Sequence, residues 1–307
     1  MSWKLALHTV SYAGAWRGQA FLPMEKTLEK AKELGYDGIM LMAKRPHVSP
    51  LDYNQDDGKQ LREKIEKLGL EIACLAGYVD FTAGIERPMA PTAEIHAVYI
   101  RELARLARDL GVSMIRVFTG LERESVPFDK HWEACVQGLR LAAEQAAAFD
   151  VTLAVQNHHD VAVHHDAMRW MLEEVNEPNC KAAFDAWAPA LHGVEGEDLK
   201  NAVRIMEPFT VHTTVADYIK LPRYTYEPSH VNFTRQMDDI RAVPVGTGFV
   251  DYPSFFSALE ETGYQGWVGY EMCAILRGGG SVENLDKCAL TFLEYMREEK
   301  WRGGTEC

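Results

Sequence analysis

From end to end the chain alternates short apolar segments with longer amphipathic ones, and the alternation completes eight rounds. Lys4 to Val10, Gly38 to Met42, Glu71 to Ala76, Ser113 to Thr119, Val151 to Val155, Lys181 to Trp187, Thr210 to Val215 and Gly266 to Met272 read as strands. Met24 to Leu34, Asp57 to Leu68, Thr92 to Leu110, His131 to Phe149, His165 to Val175, Glu197 to Met206, Tyr252 to Thr262 and Ser281 to Glu298 read as the intervening helices. Leu28, Ala31 and Leu34 recur at helical spacing, and Gly35 then closes that helix. Eight strand–helix rounds predict an α/β chain closed into a (β/α)8 barrel of one domain over residues 1–301. A doubly wound open sheet shares the alternation, but no glycine-rich dinucleotide loop follows strand one. Residues 216–249 form a long insert after strand seven, beyond the usual connection of about 4–6 residues. The tail 302–307 reads as disordered.

Barrels place their chemistry at the carboxyl ends of the strands. The fifth strand runs from aliphatic residues straight into Gln156-Asn157-His158-His159-Asp160. Strand side chains alternate faces, so Gln156 and His158 point the same way. Three later strands end similarly, at Asp185, His212 and Glu271. Neighbouring strands lie about 4.8 Å apart, so four such groups on consecutive strands can converge on one point. Carboxylate, imidazole and amide oxygen together suit one divalent cation. Gln156, Asp185, His212 and Glu271 are therefore the expected metal ligands, with Mn²⁺ the preferred ion and Mg²⁺, Co²⁺ or Zn²⁺ the alternatives. His158 and Glu271 are the candidate proton carriers; His159 faces away and reads as structural.

The totals exclude several classes. Of 307 residues, 47% are hydrophobic, ample for a large core. A net charge of −13 argues against a nucleic-acid backbone or an anionic membrane as partner. No apolar run approaches the roughly 20 residues of a membrane span. Six scattered cysteines without a CxxC pair, and a start lacking signal-peptide character, predict reduced thiols and a cytoplasmic protein.

With these residues in place the chain resembles the xylose-isomerase-like barrel superfamily of sugar isomerases, sugar epimerases and endonuclease-four-type enzymes. The marks are Ala154-Val-Gln-Asn-His158, Ala183-Phe-Asp185, Val211-His212 through Asp217, Val245-Gly-Thr-Gly-Phe-Val-Asp-Tyr252 and Gly266-Trp-Val-Gly-Tyr-Glu271. The resemblance implies a Glu, Asp, His and Glu around one Mn²⁺-like ion, with the two Glu residues shuttling protons beside a sugar carbonyl. It also implies a homodimer. The chain departs from the pattern twice. Gln156 stands where the first Glu belongs, and an amide is no general base near neutral pH. Strand seven reads His212-Thr213-Thr214 where the family often has His-x-His with the second His as ligand.

The expected ligand is a small sugar or sugar derivative, held by His8, Lys44, Arg116, Trp187, Lys220 and Arg277. Arg277-Gly-Gly-Gly280 after strand eight could take a phosphate on backbone amides. The leading expectation is a metal-dependent isomerase or epimerase working through an enediolate. A lyase that expels a leaving group from a keto-sugar or keto-glycoside is the alternative favoured by Gln156. A non-catalytic sugar- or metal-binding barrel is the third. A DNA-repair endonuclease lacks the basic surface it needs.

Overall fold

The computed structural model describes residues 3–87 and 89–297; the expected tail at 302–307 lies outside the described residues. Eight parallel strands close into a barrel. They are β1 (Leu5–His8), β2 (Gly38–Met42), β3 (Glu71–Ala76), β4 (Met114–Val117), β5 (Thr152–Gln156), β6 (Cys180–Ala183), β7 (Thr210–Val215) and, after an inserted pair, β10 (Trp267–Tyr270). β10 closes the ring by pairing with both β7 and β1. Around it run α1 (Met24–Leu34), α2 (Gln55–Lys67), α3 (Thr92–Leu110), α4 (Phe128–Ala147), α5 (His165–Val175), α6 (Trp187–Leu191), α7 (Gly196–Met206), α8 (Tyr252–Glu261) and α9 (Val282–Arg297). No helix among the described residues is long and apolar enough to cross a membrane.

Strand alternation sorts the core into two regions. Leu7, Ile39, Leu41, Leu75, Ile115, Val117, Leu153, Val155 and Val268 face outward into the large cluster shared with the helices. Met40, Cys74 and Ala76 form a small separate cluster. By the same alternation His8, Arg116, Gln156, His212 and Thr214 share the barrel interior with them. The interior is thus narrow and polar. It closes tightly at its base, where a Cβ on Gly38 would sit 2.6 Å from the Glu71 carbonyl and 2.7 Å from the Trp267 ring.

Two sequence expectations change. Strand six stops at Ala183, short of Asp185 and Trp187, and Trp187 opens α6 instead. The reason is local: the Asn157 amide accepts from the Asp185 N–H at 2.8 Å and donates to its carbonyl at 2.9 Å. That clamp occupies the ladder groups Asp185 would have offered a continuing strand. The insert after β7 is no irregular excursion but an antiparallel hairpin, β8 (Asp217–Glu227) and β9 (Asn232–Val243), paired from Asp217↔Val243 at its base to Glu227↔Asn232 at its tip.

The hairpin is rooted by one carboxylate. Asp217 accepts backbone N–H groups from Tyr218, Gly246, Gly248 and Val250 at 2.8–3.2 Å. This explains the run Val245-Gly-Thr-Gly-Phe-Val-Asp-Tyr252. A Cβ on Gly248 would fall 2.1 Å from the Asp217 carboxylate, so the cradle excludes any side chain there.

Candidate functional site

At the carboxyl end of the barrel, β5, β6, β7 and β10 bring four polar side chains into contact. Gln156 ends β5, and its amide nitrogen donates to Asp185 Oδ2 at 2.5 Å and to Thr214 Oγ1 at 3.0 Å. Thr214 donates to Asp185 twice, from its hydroxyl at 2.6 Å and its backbone N–H at 2.5 Å. Thr213 Oγ1 at 3.2 Å and the Trp187 indole at 3.1 Å complete the carboxylate's shell. Glu271, one residue past β10, lies beside Thr214 and Gln156. Asp185, Gln156 and Thr214 are buried, and Glu271 is 8% exposed.

His212 is not at this level. Ala183 and His212 are register partners, so Thr214 is the strand-seven residue that reaches Asp185. His212 sits one pleat repeat deeper, buried, with neither ring nitrogen hydrogen-bonded. Burial, aided by Arg116, pushes its pKa down to about 3, so the imidazole is neutral. Gln156 Oε1 and Glu271 Oε2 are also buried without partners.

Gln156 Oε1 and Glu271 Oε2 are open, but Asp185 and His212 keep the four expected ligands from fitting the ion. Asp185 takes its five hydrogen bonds on the roughly four lone-pair sites of a carboxylate, which leaves none for a cation. Asp185, His212 and Glu271 do not bring three ligand atoms together. Among the described residues the one His/Cys/Asp/Glu group with three such atoms within 4.8 Å is His164, His165 and Asp166, at the start of α5.

Opposite this cluster lies a buried cation. Arg116 is fully buried on β4. One guanidinium nitrogen stands 3.4 Å from His8 Nε2, another donates to the Gly77 carbonyl at 3.4 Å, and Nε has no partner. The guanidinium also lies over the Phe118 ring, 4.1 Å from its centroid, and 5.2 Å from that of Tyr78. His8 Nε2 is in turn 3.9 Å from Glu271 Oε1. Burial first and Arg116 second hold His8 well below its usual pKa. Burial raises the Glu271 carboxyl, against an opposing pull from Arg116.

His158 caps the site. Its ring meets Phe118 at 4.8 Å and Trp187 at 5.3 Å, and its Nδ1 lies 2.8 Å from His159 Nδ1. Burial, His159 and Arg116 push its pKa to about 3, which makes it a weak proton carrier at neutral pH. A 560 Å³ cleft opens beside it, lined by Asn157, His158, His159, Trp187, Leu191 and His192 among others. Of the other expected substrate contacts, Lys44 stands at this face with its ammonium 3.7 Å from the Tyr78 ring centroid. Lys220 and Arg277 are exposed at the base of the hairpin, Lys220 over Phe249 and the Arg277 N–H on the Ala242 carbonyl. Among the described residues no hydrogen bond of either side chain reaches the cluster. Thr214 and Asn157 escaped the sequence reading, although Thr214 lies two residues past His212 and hence on its face.

Comparison with known proteins places this architecture. The rhizopine catabolism protein MocC of Rhizobium meliloti is 29% identical over 261 residues, 81% of this chain and 74% of that protein. The hydroxypyruvate isomerase of Escherichia coli K12 is 26% identical over 254 residues, 79% of this chain and 85% of that protein. The crystal structure of D-psicose 3-epimerase from Clostridium cellulolyticum H10 superposes with a TM-score of 0.72 at 16% identity, covering 96% of this chain and 98% of that one. The family model of xylose isomerase-like TIM barrels matches residues 28–289, and the chain belongs to that family.

Proposed function

We propose that this barrel is a sugar isomerase that moves a proton beside the carbonyl of a small hydroxy-ketone or hydroxy-aldehyde. The observation that carries the reading is Glu271. It is a buried carboxyl at a strand end, raised in pKa, with Oε2 unpartnered. Such a group is suited to take a proton from carbon and return it. The names of two matched proteins, an isomerase and an epimerase, agree with this chemistry.

The other residues narrow the outcome. Gln156 presents an amide N–H to Asp185, and Asp185 is saturated, so neither serves as a second base. One base on one face takes a proton from one carbon and delivers it to its neighbour, which is isomerisation. Inversion at a single carbon needs a second proton donor on the opposite face. Trp187, Phe118 and His158 offer flat surfaces to a sugar face. No step runs through a metal ion, because the donor set does not fit one. The absence of a second base also favours a second reading, in which the enolate expels a leaving group as in a lyase.

The test is proton exchange. A panel of ketoses, hydroxy-aldehydes and hydroxypyruvate is incubated with the protein in D₂O and followed by proton NMR. Deuterium enters the carbon next to the carbonyl, and Glu271→Gln slows entry by about 10²–10⁴-fold. Exchange requires ionised Glu271, so the rate climbs with pH through a pKa displaced upward from the ordinary carboxylate value. Release of an aglycone from keto-glycosides, without isomerised product, selects the lyase. A panel that shows neither exchange nor release removes the proposal.

A further inference from the structure

We infer that this barrel works without a divalent ion, and that the Arg116 guanidinium is the positive charge of its site. The inference deepens the isomerase reading and rests on it for the role of Glu271.

The first ground is the hydrogen-bonded cluster. Gln156, Asp185, Thr214 and Glu271 are the side chains that meet at the ends of four consecutive strands. In a metal centre the carboxylates point lone pairs inward at the ion. Here the Asp185 lone pairs are met by Thr214 N–H, Thr214 Oγ1, Thr213 Oγ1, Gln156 Nε2 and Trp187 Nε1. Gln156 and Thr214 are the two neutral members, and both act as donors to it. Five donors occupy the Asp185 carboxylate, and His212 lies a level below it, so the unpartnered oxygens of Gln156 and Glu271 are left without the third and fourth ligands an ion would need.

The second ground is independent. A fully buried arginine carries an obligatory positive charge, which is costly unless an anion answers it. Among the described residues Arg116 makes no ion pair, and its Nε is buried without a partner. His8 Nε2 touches both it and Glu271, 3.4 Å from a guanidinium nitrogen and 3.9 Å from Glu271 Oε1. A fixed cation that shares the His8 Nε2 with the proton-taking carboxylate stabilises the negative charge that passes to the substrate oxygen as Glu271 is neutralised. It does so in a dry interior, where such an interaction is strongest. The balance is simple: Glu271 takes a proton from carbon, the electron pair moves to the substrate carbonyl oxygen, and Arg116 supports the resulting enediolate. The neighbouring hydroxyl then passes its proton to that oxygen while Glu271 returns the first proton to the neighbouring carbon, which moves the carbonyl by one position and leaves Glu271 ionised again. Arg116 acts through His8 and across space, as a positioning and electrostatic residue.

Two measurements test this. Elemental analysis of wild-type protein after dialysis against EDTA, then calorimetric titration with MnCl₂, needs no substrate and so stands apart from the isomerase test. No stoichiometric ion is expected at the barrel mouth. An ion lost on His164→Ala but kept in Asp185→Ala belongs to the surface trio and leaves the inference standing. The double variant Gln156→Glu, Thr214→His removes two donors and adds a carboxylate and an imidazole, so it is expected to gain about one Mn²⁺ per chain. One ion per chain in wild type, lost in both Asp185→Ala and Glu271→Ala, overturns the inference. In the exchange assay Arg116→Met is expected to lose at least about 100-fold in kcat. Arg116→Lys keeps the charge and recovers part of that loss. Equal rates in Arg116→Met and wild type overturn the electrostatic role.

Discussion

Asp185 shows how far one buried residue shapes its surroundings. Its backbone is clamped by Asn157 and its carboxylate is enclosed by five donors. Thr214 contributes two of those donors and also receives Gln156. Thr214→Val keeps the shape and the backbone N–H but deletes the hydroxyl. It leaves a buried carboxylate oxygen and an amide short of a partner, at a cost of about 1–3 kcal/mol. Urea denaturation is expected to show that loss, and an unchanged midpoint would mean that water enters the site. At this scale the sequence was legible in part. Gln156, Asp185 and Glu271 announced themselves as polar groups ending apolar strands. Thr214 did not, because threonine is an ordinary strand residue and its role depends on which level of the barrel it occupies. The register of Ala183 with His212 sets that level, and register is a long-range property.

The hairpin illustrates the same point for an element. Its outer half is exposed on both faces: Tyr224, Phe233 and Met237 are 58%, 63% and 87% exposed. A ribbon without a buried face carries no clean inside–outside alternation, so periodicity could not reveal it. Its cross-strand contacts, such as Tyr226 against Phe233 with centroids 5.2 Å apart, are internal. Its base reaches the core, through Tyr218, Ala242 and the partly buried Ile240. Replacing 221–239 by a short glycine-containing turn is therefore expected to leave the barrel folded. Its Tm should move by no more than about 3 °C, equivalent to roughly 1 kcal/mol in a large domain. A larger drop would show that the ribbon supports the core. Gly248→Ala is the contrasting change, since it strikes the Asp217 cradle at the root.

For the molecule as a whole, the eight β/α rounds were legible because each strand is buried on both faces and each helix on one. The barrel confirms them in order. What composition could not show is how many histidines the fold holds neutral. Burial lowers the pKa of His8, His47, His96, His158, His159, His165 and His212. A histidine depressed in the folded state takes up its proton first in the unfolded chain. Stability is thus full above the unfolded value near 6.5 and falls as pH drops below it, for His158 and His212 down to about 3. Asp185 and Glu271 are raised by burial and act with the opposite sign, gaining stability as pH falls through their folded values. The seven histidines lowered by burial outnumber the carboxyls it raises, Asp185, Asp217 and Glu271. The urea midpoint is expected to fall between pH 7.5 and pH 5, and a flat profile would show that these rings are solvated.

The rooting of the hairpin has a consequence for how such a barrel can change over time. Its first and last residues, Asp217 and Val243, are paired neighbours, and four amides on a single carboxylate hold the junction. Whatever is spliced between them leaves and returns at one point, without pulling on β7 or α8. The junction is a socket, and lineages could exchange the module plugged into it while the proton chemistry below stays as it is.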